Sequence, residues 1–311
     1  MAEITAALVK ELREKTGVGM MDCKKALAAT EGDLEAAVDW LRAKGLSKAA
    51  TKAGRAAADG LVGVATAGKS GALIEFNSET DFVARNEGFQ KTAAGFAKAA
   101  LAAKGDHDKL LASPGEGGTV SDQITQLIAT IGENMTLRRS AYLEVSEGVV
   151  APYVHGEIAE GLGRIGVLVA LESAGKADVL ADVARKVAMH VAATGPLALT
   201  DTDVPADAVA RERAIYEEQV KEDPKMVGKP DNVIKGVIEG RLRKFFEEVV
   251  LTKQKFVMAP DQTVEAWVKA AEKDAGAPIK LVAFKYFKLG DGVEKPKDDF
   301  AAEVAGMTGK S

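Results

Sequence analysis

The chain has 311 residues, 47% of them hydrophobic, one cysteine and a formal net charge of -5. That length supports more than one core, and the acidic balance gives no support for a protein that grips a nucleic-acid backbone, which needs a basic face. A lone cysteine, Cys23, excludes an intrachain disulfide and fits a reducing, cytoplasmic setting. No apolar run is long enough to span a bilayer. Met1-Ala2-Glu3-Ile4 lacks the basic and then apolar regions of a signal peptide, so none is expected. His107, His155 and His190 are far apart and show no metal-ligand spacing, so neither a metal site nor a cofactor site is expected.

Residues 3 to about 45 read as a small three-helix bundle. Ile4, Leu8 and Leu12 recur at helical spacing and Val9 widens the stripe. Thr16-Gly17-Val18-Gly19 separates the first helix from a short second one, Asp22 to Ala29. Asp33 is placed to cap a third, whose apolar face is Leu34, Ala37, Val38 and Leu41 and which Gly45 is expected to close. Lys44 to Arg55 reads as a helical linker.

A duplication follows. Gly60–Ala67 and Ala72–Phe76 form a hairpin pattern around Gly68-Lys69-Ser70-Gly71. Next come a long helix from Glu87 to about Lys104, a Gly/Pro-rich loop from Gly105 to Gly118, a helix Val120–Ile131 and a strand Leu137–Val145. The second copy has strands Val149–Ile158 and Ile165–Leu171, a helix Asp178–Ala193, a helix Thr263–Lys273 and a strand Ile279–Phe287. Both copies read strand-strand-helix-helix-strand, the second interrupted between its helices.

The interruption, Thr194 to Pro260, contains two helical patterns. One carries Val209, Tyr216 and Val220, with Ile215 beside them; the other carries Ile234, Val237, Ile238, Leu242, Phe245 and Val249. Asp223-Pro224 and Lys229-Pro230 break the chain between them. Joined in this way they make either a projecting antiparallel hairpin or a flap lying on the core. The tail, Lys288 to Ser311, ends in a short amphipathic pattern, Phe300-Ala301-Ala302-Glu303-Val304.

Two nucleotide motifs occur in the wrong context. Gly63-Val64-Ala65-Thr66-Ala67-Gly68-Lys69-Ser70 matches G-x-x-x-x-G-K-[ST], but Gly71 and a strand follow where the chemistry requires a helix N-terminus. Gly161-Leu162-Gly163-Arg164-Ile165-Gly166 matches G-x-G-x-x-G and is likewise followed by a strand. The first match spans a strand and its turn, and the second reads as a glycine-rich hairpin. Cys23, inside a short helix, reads as a buried structural cysteine, and His155 and His190 as packing or hydrogen-bonded histidines. No catalytic constellation remains, so an enzyme is not expected.

Thr80-Asp81-Phe82-Val83 sits between the strand Ala72–Phe76 and the long helix, in a locally polar stretch. The residues admit two readings. Ser78 or Thr80 caps the following helix while Phe82 joins Phe89 in the core, or Phe82 is exposed and inserts into a partner. Met20 and Met21 similarly belong either to the core of the bundle or to an adaptable apolar surface.

Four collinear segments carry a family resemblance: Thr16-Gly17-Val18-Gly19-Met20-Met21-Asp22-Cys23-Lys24-Lys25-Ala26-Leu27, Asn77-Ser78-Glu79-Thr80-Asp81-Phe82-Val83-Ala84, Met189-His190-Val191-Ala192-Ala193 and Phe300-Ala301-Ala302-Glu303-Val304. The chain resembles bacterial elongation factor Ts over essentially its whole length. The resemblance implies an α+β protein. It would have an N-terminal three-helix module similar to ubiquitin-associated domains, with its linker, at 1–55, and two duplicated α+β core subdomains, at 56–147 and 148–287. The second would carry an inserted antiparallel helical hairpin, a coiled coil, at about 195–260, and a short C-terminal helical module would occupy 288–311.

The implied function is guanine-nucleotide exchange on the GTPase elongation factor Tu in translation elongation, without covalent chemistry and without direct contact to nucleic acid or membrane. By resemblance, Thr80, Asp81, Phe82 and Val83 approach the partner's magnesium and displace it, with Phe82 as the wedge. Met20, Met21 and Lys24 contact the GTPase domain, and His155 meets another partner domain. The stretch from Tyr153 to Gly166 is longer than the family pattern leads one to expect. Whether the inserted hairpin meets the partner or a second copy, as a homodimer, stays open at this level.

Overall fold

The computed structural model describes residues 4–16, 18 and 20–294. Phe300–Val304, and with it most of the expected C-terminal module, lies outside the described residues.

The apolar periodicity at the N-terminus folds as a three-helix bundle: α1 (Ala6–Thr16), α2 (Met20–Ala29) and α3 (Leu34–Lys52). Val9, Leu12, Cys23, Ala26, Leu27, Ala37 and Leu41 form its core, with Ile4, Leu8, Leu34 and Val38 packed around them. Asp33 caps α3 by accepting the Ala36 N–H at 2.9 Å. One expectation fails here, because Gly45 does not close the third helix; α3 runs through it to Lys52. The cause is tertiary. At Gly45, α3 crosses α7 (Val120–Ile131), and a Cβ there would already lie 3.4 Å from the Ala129 methyl. The missing side chain permits the approach, and packing outweighs glycine's poor helix propensity. Arg42 of α3 and Asp122 of α7 close the contact at 2.7 Å.

The next part is a hairpin, β1 (Asp59–Ala67) and β2 (Ser70–Ser78), joined by Gly68-Lys69 and extended by β5 (Met135–Glu144) into the order β5-β2-β1. The phosphate-loop lookalike is this hairpin, with Gly63 inside β1 and Ser70 opening β2. A second antiparallel sheet holds β6 (Gly148–His155), β8 (Ile165–Glu172) and β11 (Lys280–Lys288) in the order β11-β8-β6. Both sheets therefore order their strands third, second, first.

One face of each sheet is covered by helices. Ala72, Ile74 and Phe76 of β2 pack with Phe89, Ala93, Phe96 and Ala100 of α5 (Glu87–Ala102). Phe76 stacks on Phe89 at 4.5 Å and meets Phe96 edge-on at 5.2 Å. Burying each such ring contributes about 1.5–3 kcal/mol. In the second sheet, Val167, Val169 and Leu171 pack under Leu180, Val183, Val187 and Val191 of α8 (Ala177–Thr194). The opposite faces of the sheets meet each other through Val62, Leu73, Val150, Leu168, Ala170 and Phe287. The result is helix, sheet, sheet, helix. β2 is buried on both sides, which explains its nearly continuous burial. Gly166 belongs to this contact, since a Cβ there would sit 2.6 Å from Val62 Cγ1.

Three further details depart from the sequence pattern. The Gly105–Gly118 region contains a short helix, α6 (His107–Ala112), and a two-residue hairpin, β3 (Pro114–Gly115) with β4 (Gly118–Thr119). The glycine-rich segment before β8 contributes β7 (Leu162–Gly163), which pairs with Val62 and Gly63 of β1 and so joins the first sheet. The helix expected over Thr263–Lys273 divides into α11 (Val264–Ala270) and α12 (Glu272–Ala275).

The interruption is a hairpin of α9 (Ala206–Glu222) and α10 (Asp231–Val249), followed by a small strand pair, β9 (Lys255–Phe256) and β10 (Ala259–Thr263). Val220, Ile238 and Leu242 form its centre with Val209, Tyr216, Met226, Ile234 and Val237, all from the insertion itself. The hairpin thus has a small core drawn from its own residues. Arg213 and Glu239 bridge the two helices at 2.8 Å.

Candidate functional site

The segment after β2 is built as a short strut. Thr80 is extended (φ -123°, ψ 158°) and opens α4 (Asp81–Ala84), a single helical turn. Asn86 then caps α5 by accepting the Phe89 N–H at 3.0 Å, and Gln90 reaches back to the Ala84 carbonyl at 2.9 Å. Val83 and Ala84 point into the core beside Phe76 and Phe89. Successive helical residues are about 100° apart, so burying these two turns their neighbours outward. Phe82 is 74% exposed. Asp81 is also exposed and pairs with Arg85 at 3.6 Å.

The core reading of Phe82 is thereby overturned. Thr80 stands at the cap position without capping; its side chain is engaged elsewhere. Its N–H donates to Glu133 Oε2 at 3.0 Å and its hydroxyl to Glu133 Oε1 at 2.7 Å. Ser78, the other expected cap, donates to the Thr80 carbonyl at 2.9 Å. Glu79 faces the same turn, accepting the Asn134 N–H at 2.5 Å and lying 3.5 Å from the Arg55 guanidinium. Glu133 and Asn134 carry no motif, and their one sequence signal is a polar turn after a helix.

On α2, Cys23, Ala26 and Leu27 face inward, while Met20 at the start of the helix (58% exposed), Met21 (68%) and Lys24 stand in solvent. Core packing of the two methionines is excluded. Cys23 is fully buried, its thiol directed at the Val18 carbonyl, as expected of a structural cysteine.

His155 ends β6 on the second sheet, exposed, its Nδ1 3.4 Å from the Tyr153 hydroxyl. The segment Glu157–Gly163 folds beside it. Ile158 N–H donates to the Leu162 carbonyl at 2.9 Å, and Gly161 N–H to Glu157 at 2.8 Å. The sequence-predicted residues thus stand at the surfaces of α2, α4 and β6, with Thr80 and Val83 as the inward anchors.

His190 is part of the second core. It accepts the Val257 N–H at Nδ1 (3.2 Å), so its proton sits on Nε2 and is donated to Gln254 Oε1 at 2.8 Å. Burial pushes its pKa down, only partly opposed by the bond to Gln254.

An exposed aromatic on a short helical turn and exposed methionines on the N-terminal bundle are the features of a docking surface, and no catalytic constellation accompanies them among the described residues. The family model described as Elongation factor TS matches residues 79–291. A curated relative from Parvibaculum lavamentivorans, named elongation factor Ts, is 57% identical over 307 residues, covering 98% of each chain. Proteins of the same name from Bartonella henselae (59% identical; 97% of this chain, 98% of the relative) and Caulobacter vibrioides (58%; 100% of each) are similarly close. The chain belongs to the elongation factor Ts family.

Proposed function

We propose that this chain is a cytoplasmic guanine-nucleotide exchange factor for elongation factor Tu. It binds the GDP form, displaces magnesium and promotes GDP release, so that GTP can bind. It forms no covalent intermediate and is not an enzyme. The observation that carries the reading is the 74% exposure of Phe82 beside a buried Val83. A phenyl ring held in water by its own backbone is available to a partner.

Exchange requires that factor and nucleotide bind the GTPase antagonistically, and that coupling is reciprocal. The grip to be loosened is the one that magnesium and the phosphate-loop amides exert on the β-phosphate. A thousandfold faster release corresponds to a barrier lowered by about 4 kcal/mol, within the range of one buried aromatic anchor. In this scheme Phe82 enters between partner elements that order the magnesium, and Asp81 adds negative charge next to them. Thr80 and Val83 hold both in place. Met20, Met21 and Lys24 form a second contact and His155 a third.

We assign the ubiquitin-associated-like module and linker to 1–55, the two core subdomains to 56–147 and 148–287, and the C-terminal module to 288–311. The coiled-coil arm at about 195–260 leaves a homodimer or a contact with elongation factor Tu as the outcomes to be separated by sedimentation of the chain alone and in complex.

The test is stopped-flow release of fluorescent GDP from elongation factor Tu with the intact chain and with Phe82→Ala. Strong acceleration, largely lost in the variant, is the expected result. Unchanged acceleration in the variant would remove Phe82 from the mechanism, and no acceleration by the folded intact chain would sink the exchange reading.

A further inference from the structure

We infer that Glu133 is the positioning residue of the Phe82 strut. The inference rests on the exchange reading above and deepens it. A single helical turn is not self-supporting, because the first turn fixes several backbone dihedrals for one hydrogen bond. The four residues of α4 therefore need outside support to hold an aromatic ring in water. On the inner side Val83 and Ala84 supply it by packing.

On the N-terminal side the support is a bidentate grip. Glu133, 53 residues away in sequence, takes both the N–H and the hydroxyl of Thr80, at 3.0 and 2.7 Å. Two hydrogen bonds from one residue to one carboxylate fix direction as well as distance. The residue gripped is the one immediately before the helical turn, so its backbone angles set the direction in which Phe82 leaves the sheet.

The turn that carries Glu133 is itself anchored. Asn134 donates its N–H to Glu79 (2.5 Å) and its side-chain amide to the Arg55 carbonyl (2.6 Å). Lys52, the last residue of α3, donates to the Gly132 carbonyl. Residues 132–134 thus join the end of α7, the start of β5, the end of α3 and the Phe82 strut. Glu133 does not need to touch the partner; it acts through Thr80 on the aim of Phe82.

The test is release of fluorescent GDP from elongation factor Tu, titrated with the full chain, for wild type, Glu133→Ala, Glu133→Gln, Phe82→Ala and the Glu133→Ala/Phe82→Ala double variant. A misaimed wedge lowers the saturating release rate more than it raises the half-saturating concentration. Glu133→Ala is expected to lower the saturating rate about tenfold and to shift the half-saturating concentration less than about threefold. Glu133→Gln, which keeps an acceptor for the Thr80 N–H and reverses the second bond so that its amide donates to the Thr80 hydroxyl oxygen, is expected to stay within about threefold of wild type. In the Phe82→Ala background the Glu133→Ala change should have no further effect.

Full additivity of the two changes, or wild-type exchange by Glu133→Ala, would overturn the inference while leaving the exchange function intact. A loss by Glu133→Gln equal to that of Glu133→Ala would assign the effect to charge and overturn it as well. If Glu133→Ala does not fold, Thr80→Val, which removes one of the two donors, takes its place with a smaller expected loss in the same direction. Amide hydrogen exchange at Thr80 reads the grip without any partner. Protection in wild type and Glu133→Gln but not in Glu133→Ala supports the inference, and an unprotected wild-type amide overturns it even if the exchange reading has failed on its own.

Discussion

Phe82 and Val83 are consecutive residues of one helical turn, yet the first is 74% exposed and the second 5%. The buried member holds the turn and the exposed member is free to act, so substitutions at the two positions should separate stability from function. Phe82→Ala is expected to leave the urea midpoint within experimental error and to impair nucleotide release. Val83→Ala should cost about 2 kcal/mol of stability through lost burial and an unfilled space. Urea unfolding of both variants, alongside the exchange assay, checks the pair.

Glu75 is fully buried and accepts from Arg138 (3.3 Å), from Arg139 (2.6 Å), and from the N–H of Gly290 at the end of the second sheet (2.8 Å). Removing the carboxylate leaves two guanidiniums, each about two-thirds covered, without their counter-charge. Glu75→Gln is expected to destabilise the chain by about 3 kcal/mol, measured by chemical denaturation. A change below about 1 kcal/mol would show that water replaces the carboxylate at this seam.

His190 is neutral in the folded chain, and burial holds its pKa below the ordinary value. The unfolded chain binds a proton at this residue near pH 6.5. Between the depressed folded pKa and that value the unfolded state carries more protons, so stability rises with pH in this window. Acidification from pH 7 should therefore weaken the fold, and His190→Gln should flatten the slope. Unfolding midpoints measured from pH 7.5 to pH 5 test this, and an unchanged slope in the variant would exclude His190 as its source.

Asp122 completes a capping box with Thr119 and also meets Arg42 of α3. Its pKa is lowered to about 2, first by the Thr119 N–H and then by the Arg42 guanidinium. A carboxylate depressed in the folded state stabilises fully above its unfolded pKa, and that contribution is lost as pH falls from about 4 to about 2. Asp122→Ala should cost about 1–2 kcal/mol at neutral pH, mostly through the cap. Arg42→Ala, which removes only a partly exposed pair, should cost less than about 1 kcal/mol. Equal losses in the two variants would place the energy in the α3–α7 contact and not in the cap.

Hydrophobic spacing made most elements legible. Leu180, Val183, Val187 and Val191 mark α8, and Phe89, Ala93, Phe96 and Ala100 mark α5, because each helix buries one stripe. The strands that follow the two glycine motifs separate them from nucleotide loops, and the structure places the first in the β1–β2 hairpin and the second across β7 and the start of β8. What the pattern could not reveal was contact at a distance. Gly45 looks like a stop signal until α7 is known to cross there. Glu133 and Glu75 bond to residues 53 and more positions away and leave no periodic trace. β7 is two residues long, too short for alternation to register. In the candidate site the exposed positions were readable as motif and the exposure of Phe82 was not, since capping and core packing fit the same letters.

The Leu162–Gly163 strand has a consequence for how the chain is made. β1 presents its outer edge at Val62 and Gly63 from the moment the first hairpin forms, and the segment that pairs there is about a hundred residues further along. A ribosome adding roughly 5–20 residues each second needs several seconds to deliver it. Until it is delivered, the Val62–Gly63 edge of β1 has no native strand to pair with, and an unpaired strand edge is the kind of surface on which chains pair with one another. The length of that wait is set by elongation speed, the rate of the very process in which we place this chain's function.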